Sequence, residues 1–201
     1  MKRIILLFIL HSSLFTLQFT LAQERIRDIY AAAPDSIFPL LTKNNRLDQI
    51  DFRENNMKAE VKNKFDGHSE LLVLSERYLQ LRLSDHCLVE MKLLSDSTFC
   101  MVQTYSAPAP DSRVRLFDTA WHELPQTINR PSVDDFLSED VDIDVRLALQ
   151  ALPLIKASLS ENDDTITFEL QTSELTREQR KLIEGKTRQI VQKLSAGEKR
   201  L

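Results

Sequence analysis

The sequence predicts an α+β fold: an antiparallel sheet, built from a meander plus a second hairpin, with N-terminal and C-terminal helices packed on one face. Three observations carry this expectation. Apolar residues recur at helical spacing near both ends of the chain. Through the middle they alternate with polar residues, and the runs are joined by connections so short that neighbours must be antiparallel.

The first 22 residues stand apart from that pattern. Lys2 and Arg3 make a basic start, residues 4–10 are unbroken apolar sequence, and Thr20 and Ala22 place small residues three and one positions before Gln23. This is the layout of a cleavable export signal. An uncleaved anchor needs about 20 mostly apolar residues, and His11, Ser12, Ser13, Thr16, Gln18 and Thr20 interrupt the run. A lipid anchor needs a cysteine directly after the cut, where Gln23 stands. The expected organisation is a signal peptide over 1–22 and a single α+β domain over 23–201, periplasmic or secreted, with no integral membrane segment after cleavage.

Composition narrows the function classes. The signal contains two of the 26 basic side chains and none of the 30 acidic ones, so the mature chain carries a net charge of −6, which argues against nucleic acid as a partner. Charged residues at 28%, apolar residues at 42% and only three glycines argue against disorder and against a glycine-rich phosphate loop.

Residues 24–33 predict a short helix with Ile26, Ile29 and Tyr30 on one side, ended by Pro34. Residues 35–55 are helical or irregular, with Leu47, Ile50 and Phe52 as the apolar side. At Lys58 the period changes to two: Ala59, Val61 and Phe65 alternate with Lys58, Glu60, Lys62 and Lys64, as a half-buried strand requires. Asp66-Gly67 supplies a turn, and strands are expected at 70–74, 78–83, 86–94 and 98–105. Pro108 and Pro110 make a stiff loop before a sixth strand around 113–118. Short helices follow near 133–137 and over 141–152, the latter with Val145, Leu149 and Leu152 on one face. Residues 155–159 and 165–171 form the second hairpin. Thr176 to Gln179 has the spacing of a capping box for a terminal helix whose stripe is Leu182, Ile183, Ile190, Val191 and Leu194.

Cys87 and Cys100 form an even pair in a compartment that permits disulfides. If their two strands turn near Asp96, Cys100 lies opposite Met91 or Lys92 and Cys87 opposite Thr104 or Tyr105. The thiols are then more than about 10 Å apart, beyond the ~7 Å reach of a bridge between Cα atoms. Two buried free thiols fit that register, and a bridge requires a different one.

Candidate chemistry is sparse. His122-Glu123 opens like a zinc-protease helix, but the second histidine is missing because Gln126 occupies its place. His68 and His86 have no ligand spacing between them. Asp140, Asp142 and Asp144 start like a calcium loop without its glycine and closing glutamate, and equally suit the start of a helix. No nucleophile motif occurs, so no catalytic residue, metal or cofactor is implied. Trp121, Tyr105, Pro108, Pro110 and His122 surround the proline loop and are the candidate partner-binding residues. Trp121 equally suits an anchor between this loop and the core.

The runs Thr104 to Arg113, Phe117-Asp118-Thr119-Ala120-Trp121 and Leu40 to Asp48, with Leu152 to Leu159, resemble an exported family of Bacteroides-type bacteria, domain of unknown function 3256. The resemblance covers nearly all of the mature chain. It implies a Gram-negative envelope context and supplies no catalytic residues. Together these readings favour a non-enzymatic exported binding or interaction protein whose partner is an envelope protein or a small ligand. The alternatives are an envelope hydrolase with an unrecognised carboxylate site and a carrier of a small apolar ligand.

Overall fold

The computed structural model describes residues 25–125 and 128–195, so the signal segment, and with it Gln23, Glu24 and Gln126, lies outside the described residues. Among them, helices are α1 (Ile26–Ala31), α2 (Lys43–Glu54), α3 (Val133–Phe136), α4 (Ile143–Ala151) and α5 (Arg177–Ile183). The strands are β1 (Glu60–Lys62), β2 (His68–Leu74), β3 (Tyr78–Ser84), β4 (Cys87–Ser95), β5 (Thr98–Ser106), β6 (Pro110–Asp118), β7 (Ile155–Leu159), β8 (Thr165–Leu170) and β9 (Ile190–Lys193). The first six form one antiparallel meander in sequence order, and the last three form a second antiparallel sheet. The α+β class, the meander and the second hairpin all stand.

The large sheet is covered on both faces, where the sequence suggested one. Residues of one parity, among them Leu81, Val89, Met91, Phe99, Met101 and Phe117, pack with Ile26, Ile29 and Tyr30 of α1. Residues of the other parity, including Cys100, Val102 and Leu116, pack with Ile155, Ala157, Ile166 and Phe168 of the second sheet. The C-terminal helix α5 does not reach either face. Its Ile183 joins a third cluster with Val145 and Leu149 of α4.

That helix is also shorter than its stripe implied. Gly185 adopts φ 72°, the left-handed conformation that ends helices, and the chain then re-enters as β9 beside β8. Ile190, Val191 and Leu194 are therefore strand-region residues, and the capping box Thr176–Gln179 starts a helix of seven residues. Two other apolar assignments move. Phe65 is 77% exposed because β1 ends at Lys62 and Asn63 closes a turn, its side chain accepting the N–H groups of Phe65 and Gly67. The buried face of α2 is Arg46, Gln49 and Ile50, with Leu47 outside.

Those buried polar groups are paired, apart from the Arg46 Nε, which has no hydrogen-bond partner. Arg46 donates to the carbonyls of Ala33 (2.5 Å) and Leu41 (3.4 Å) and to Asp35 (3.1 Å). Gln49 accepts from the Tyr30 hydroxyl (2.6 Å) and donates to the Ser69 carbonyl (3.0 Å), locking α1 and α2 to β2. Cys87 and Cys100 are free and buried, opposite Tyr105 and Lys92 as the hairpin register required.

The two sheets are joined through β7. Its outward N–H groups at Ile155 and Ala157 donate to Asp111 (3.0 Å) and to the Ser112 hydroxyl (2.8 Å) of β6, and Ser112 shares a hydrogen bond with Thr104 (2.7 Å). Glu90 of β4 faces the same interface. One of its oxygens accepts from the Tyr78 hydroxyl at 2.7 Å, and the other is buried without a partner. Burial raises its pKa, while Tyr78, the Leu159 N–H and Lys156 partly offset that effect.

A carboxyl whose native pKa is raised binds protons more tightly in the folded chain, so its ionisation removes stability as pH climbs from the ordinary glutamate range through the native value. Glu90→Gln should therefore flatten the fall in stability as pH rises above the ordinary glutamate range. Urea midpoints across that rise measure it, and parallel curves for parent and variant would defeat the assignment.

Candidate functional site

The five residues singled out around the proline loop do not form one surface. Tyr105 and Pro110 belong to the β5–β6 hairpin end, where Ser106 pairs with Pro110 and Pro108 sits exposed in the turn. Strand β6 begins at Pro110, earlier than expected, because a first strand residue needs no ladder donor. Trp121 and His122 lie beyond the other end of β6. At ~3.3 Å per residue the two groups are separated by roughly the length of the strand.

Trp121 is buried. Its indole N–H donates to the Ile29 carbonyl at 2.9 Å, and its ring meets Phe99, Phe117 and Phe38 with centroids 4.9, 5.5 and 5.8 Å away. It anchors the turn after β6 to α1, with its own backbone at φ 68°. Asp118 holds that turn, accepting both the backbone N–H of His122 and a 2.9 Å contact from its ring. Those His122 bonds, backbone first, keep the Asp118 carboxyl below the usual range. The exposed His122 is thus a turn residue.

The anchored turn sends the chain back along β6. Glu123 bridges to Phe117, and the Leu124 N–H donates to the Leu116 carbonyl at 2.8 Å. Glu123 consequently stands beside Arg115 and Arg113, at 3.7 and 4.0 Å. In register, Gln103 opposes Arg113 and Met101 opposes Arg115, so these side chains share the α1 face of the sheet. Arg113 is two-thirds exposed, while Arg115 is largely covered, with its guanidinium 5.0 Å above the Phe117 ring and its Nε buried without a hydrogen-bond partner. Burial first, and then the charge of Arg113, lower the Arg115 pKa. Tyr105, half exposed at the end of the same face, feels both arginines. Gln103 donates to Cys87 Sγ at 3.6 Å beneath it.

Two grooves elsewhere are open and polar. The one between β4 and the β7–β8 turn, of about 450 Å³, has its cations engaged in structure: Lys92 donates to the Glu161 carbonyl (2.7 Å) and Arg77 to the Leu93 carbonyl (2.8 Å). The other, of about 500 Å³ beside β9, contains Arg188, which donates to the Asp135 carbonyl (2.8 Å). Asp142 caps α4, accepting from the N–H groups of Asp144 and Val145, and Asp140 pairs with Lys186 (3.0 Å), so that acidic run serves a helix start. Among the described residues there is no group of three potential metal ligands. Also among them, no helix is long and apolar enough to cross a membrane.

The family described as protein of unknown function (DUF3256) matches residues 18–193. The chain belongs to this family. A domain of an uncharacterized protein from Porphyromonas gingivalis W83 resembles this DUF3256 chain with a TM-score of 0.71, at 22% identity over 86% of this chain and 94% of that one. No curated protein matches. At that identity the likeness concerns the fold, so the DUF3256 site rests on its own geometry. Sequence reasoning found Tyr105 but passed over Arg113, Arg115 and Glu123. The signal was present: two arginines at i and i+2 in an expected strand must share a face.

Trp121→Ala should cost about 3–5 kcal/mol of stability, and Tyr105→Ala less than about 1 kcal/mol. Chemical denaturation of the two variants checks this, and the reverse order would remove Trp121 from the core and return it to the surface.

Proposed function

We propose that the chain is an exported interaction protein of the bacterial envelope that docks a partner on the β5–β6 corner displaying Tyr105, Arg113 and Arg115. The observation that carries this reading is an exposed tyrosine beside two guanidiniums that share one carboxylate, on a protein whose net charge is −4. Tyrosine and arginine dominate the energetics of partner surfaces because they combine large contact area with fixed polar geometry. The basic, apolar and small-residue succession over 1–22 supports export, and the periplasm or the exterior as the place of action. The residues of this corner offer no nucleophile with an adjacent base, so binding suits them better than turnover.

The test is crosslinked capture of the full chain, tagged at its C-terminus and expressed in its own cells. The mature N-terminus read by mass spectrometry should be Gln23, and a partner should be enriched by the parent and at least about fivefold less by Tyr105→Ala with Arg113→Ala. An uncleaved cytoplasmic product would defeat the export reading. Equal capture by parent and variant would remove this corner as the docking surface.

A further inference from the structure

We infer that Arg113 and Arg115, with Tyr105 beside them, form a binding site for a carboxylate presented by an acidic partner protein, and that Glu123 is the internal carboxylate such a group displaces. The inference rests on the reading of this corner as the docking surface and names the chemistry of what docks there.

Two like charges at neighbouring same-face positions of one strand repel, an arrangement that an anion between them relieves. Glu123 supplies that anion imperfectly. Its contacts of 3.7 and 4.0 Å exceed the 2.7–2.9 Å of a charge-assisted hydrogen bond, and one carboxylate serves two guanidiniums. Arg115 is already oriented. Its guanidinium carbon sits 5.0 Å over the Phe117 ring, and its Nε has no partner. A buried guanidinium donor left without an acceptor costs free energy that a correctly placed carboxylate would recover.

The site is also matched in shape. Glu123 shows that a carboxylate fits between the arginines, and an incoming one would keep that place while approaching closely enough to pair with the fork in bidentate fashion. Tyr105 offers a phenol at the exposed end of the face, where a second polar group of the partner would meet it. Glu123 is half exposed on a return segment, free to swing into water when displaced.

The test titrates the full chain with acetyl-Glu-Glu-amide at low salt, followed by NMR shifts of the backbone amides. Acetyl-Gln-Gln-amide and inorganic phosphate are the comparison probes. The diglutamate should give saturable shifts at β5 and β6 that weaken as salt rises, and Arg113→Gln with Arg115→Gln should weaken binding by about fivefold or more. Glu123→Gln should tighten it by roughly threefold or more, because it removes the competitor. Arg113→Gln alone should also weaken binding, and its exposure keeps that loss separate from unfolding. Unchanged or weaker binding by Glu123→Gln, or equal binding of phosphate or the glutamine peptide, would overturn the inference. If a cellular partner depends on Tyr105 while the diglutamate does not bind, the docking reading stands and this inference falls. If the diglutamate binds as described and no partner is captured, the carboxylate chemistry of the site stands, while the docking reading and the assignment of that carboxylate to a partner protein fall.

Discussion

Strand β7 presents outward N–H groups that would make it an open edge, and the large sheet supplies side-chain acceptors for them. Asp111 and Ser112 take those of Ile155 and Ala157, and Leu159 lies against Glu90. This satisfies backbone donors along the interface between the sheets, and it fixes the second sheet over β4, β5 and β6. The apolar rows then follow. Cys100, Val102 and Leu116 are buried because that layer exists, and the opposite row is buried because α1 and the Trp121 turn cover it. Arg130 ties the same node from outside, donating to Asp111 and to the Pro153 carbonyl.

The polar groups inside this framework differ in how completely they are paired. Arg46 and Gln49 replace apolar residues on α2 because backbone carbonyls and Tyr30 meet them, so they hold the helix in one orientation as well as filling space. Cys100 is closed in so tightly that its thiol is pushed up to about 12, first by burial and then by the nearby Glu90 charge. Glu90 is an acid whose hydrogen-bond environment remains incomplete. Its second oxygen is buried and makes no hydrogen bond, although the Leu159 N–H lies near the carboxyl. Such a group within an interface between sheets makes that interface sensitive to its ionisation.

Most of the fold was legible because period-two alternation and short turns are local. The strands from His68 to Asp118, the Cys87 and Cys100 register and the second hairpin all follow from residues near one another in the chain. What escaped depends on partners distant in sequence. Alternation could not reveal that β4 is buried on both faces, since Glu90 and Lys92 look solvent-facing until the second sheet lies over them. The α2 stripe misled because its buried face is polar. The terminal helix is shorter than its apolar spacing implies because Gly185 ends it. At the site, Tyr105 was found by residue type, whereas Glu123 reaches the arginines only through a turn whose anchor is in α1.

That dependence links the core to the surface. Trp121 is held by the Ile29 carbonyl and three phenylalanine rings, which fixes where the chain reverses after β6. The reversal places Glu123 opposite Phe117, and from there its side chain extends along the face toward Arg115 and Arg113. Phe117 therefore serves both sides, packing with Trp121 within the core and lying beneath the Arg115 guanidinium at its margin. Moving outward along this face, the rows pass from aromatic rings to Met101 and Arg115, then to Gln103 and Arg113, and end at Tyr105. The covering layers stop where the charges begin. An apolar row there would need a further layer, whereas arginines and a tyrosine tolerate water and can still exchange it for a partner. The surface is thus left open by the same packing that buries its foundation, and only the Glu123 carboxylate stands between the arginines and an incoming acid.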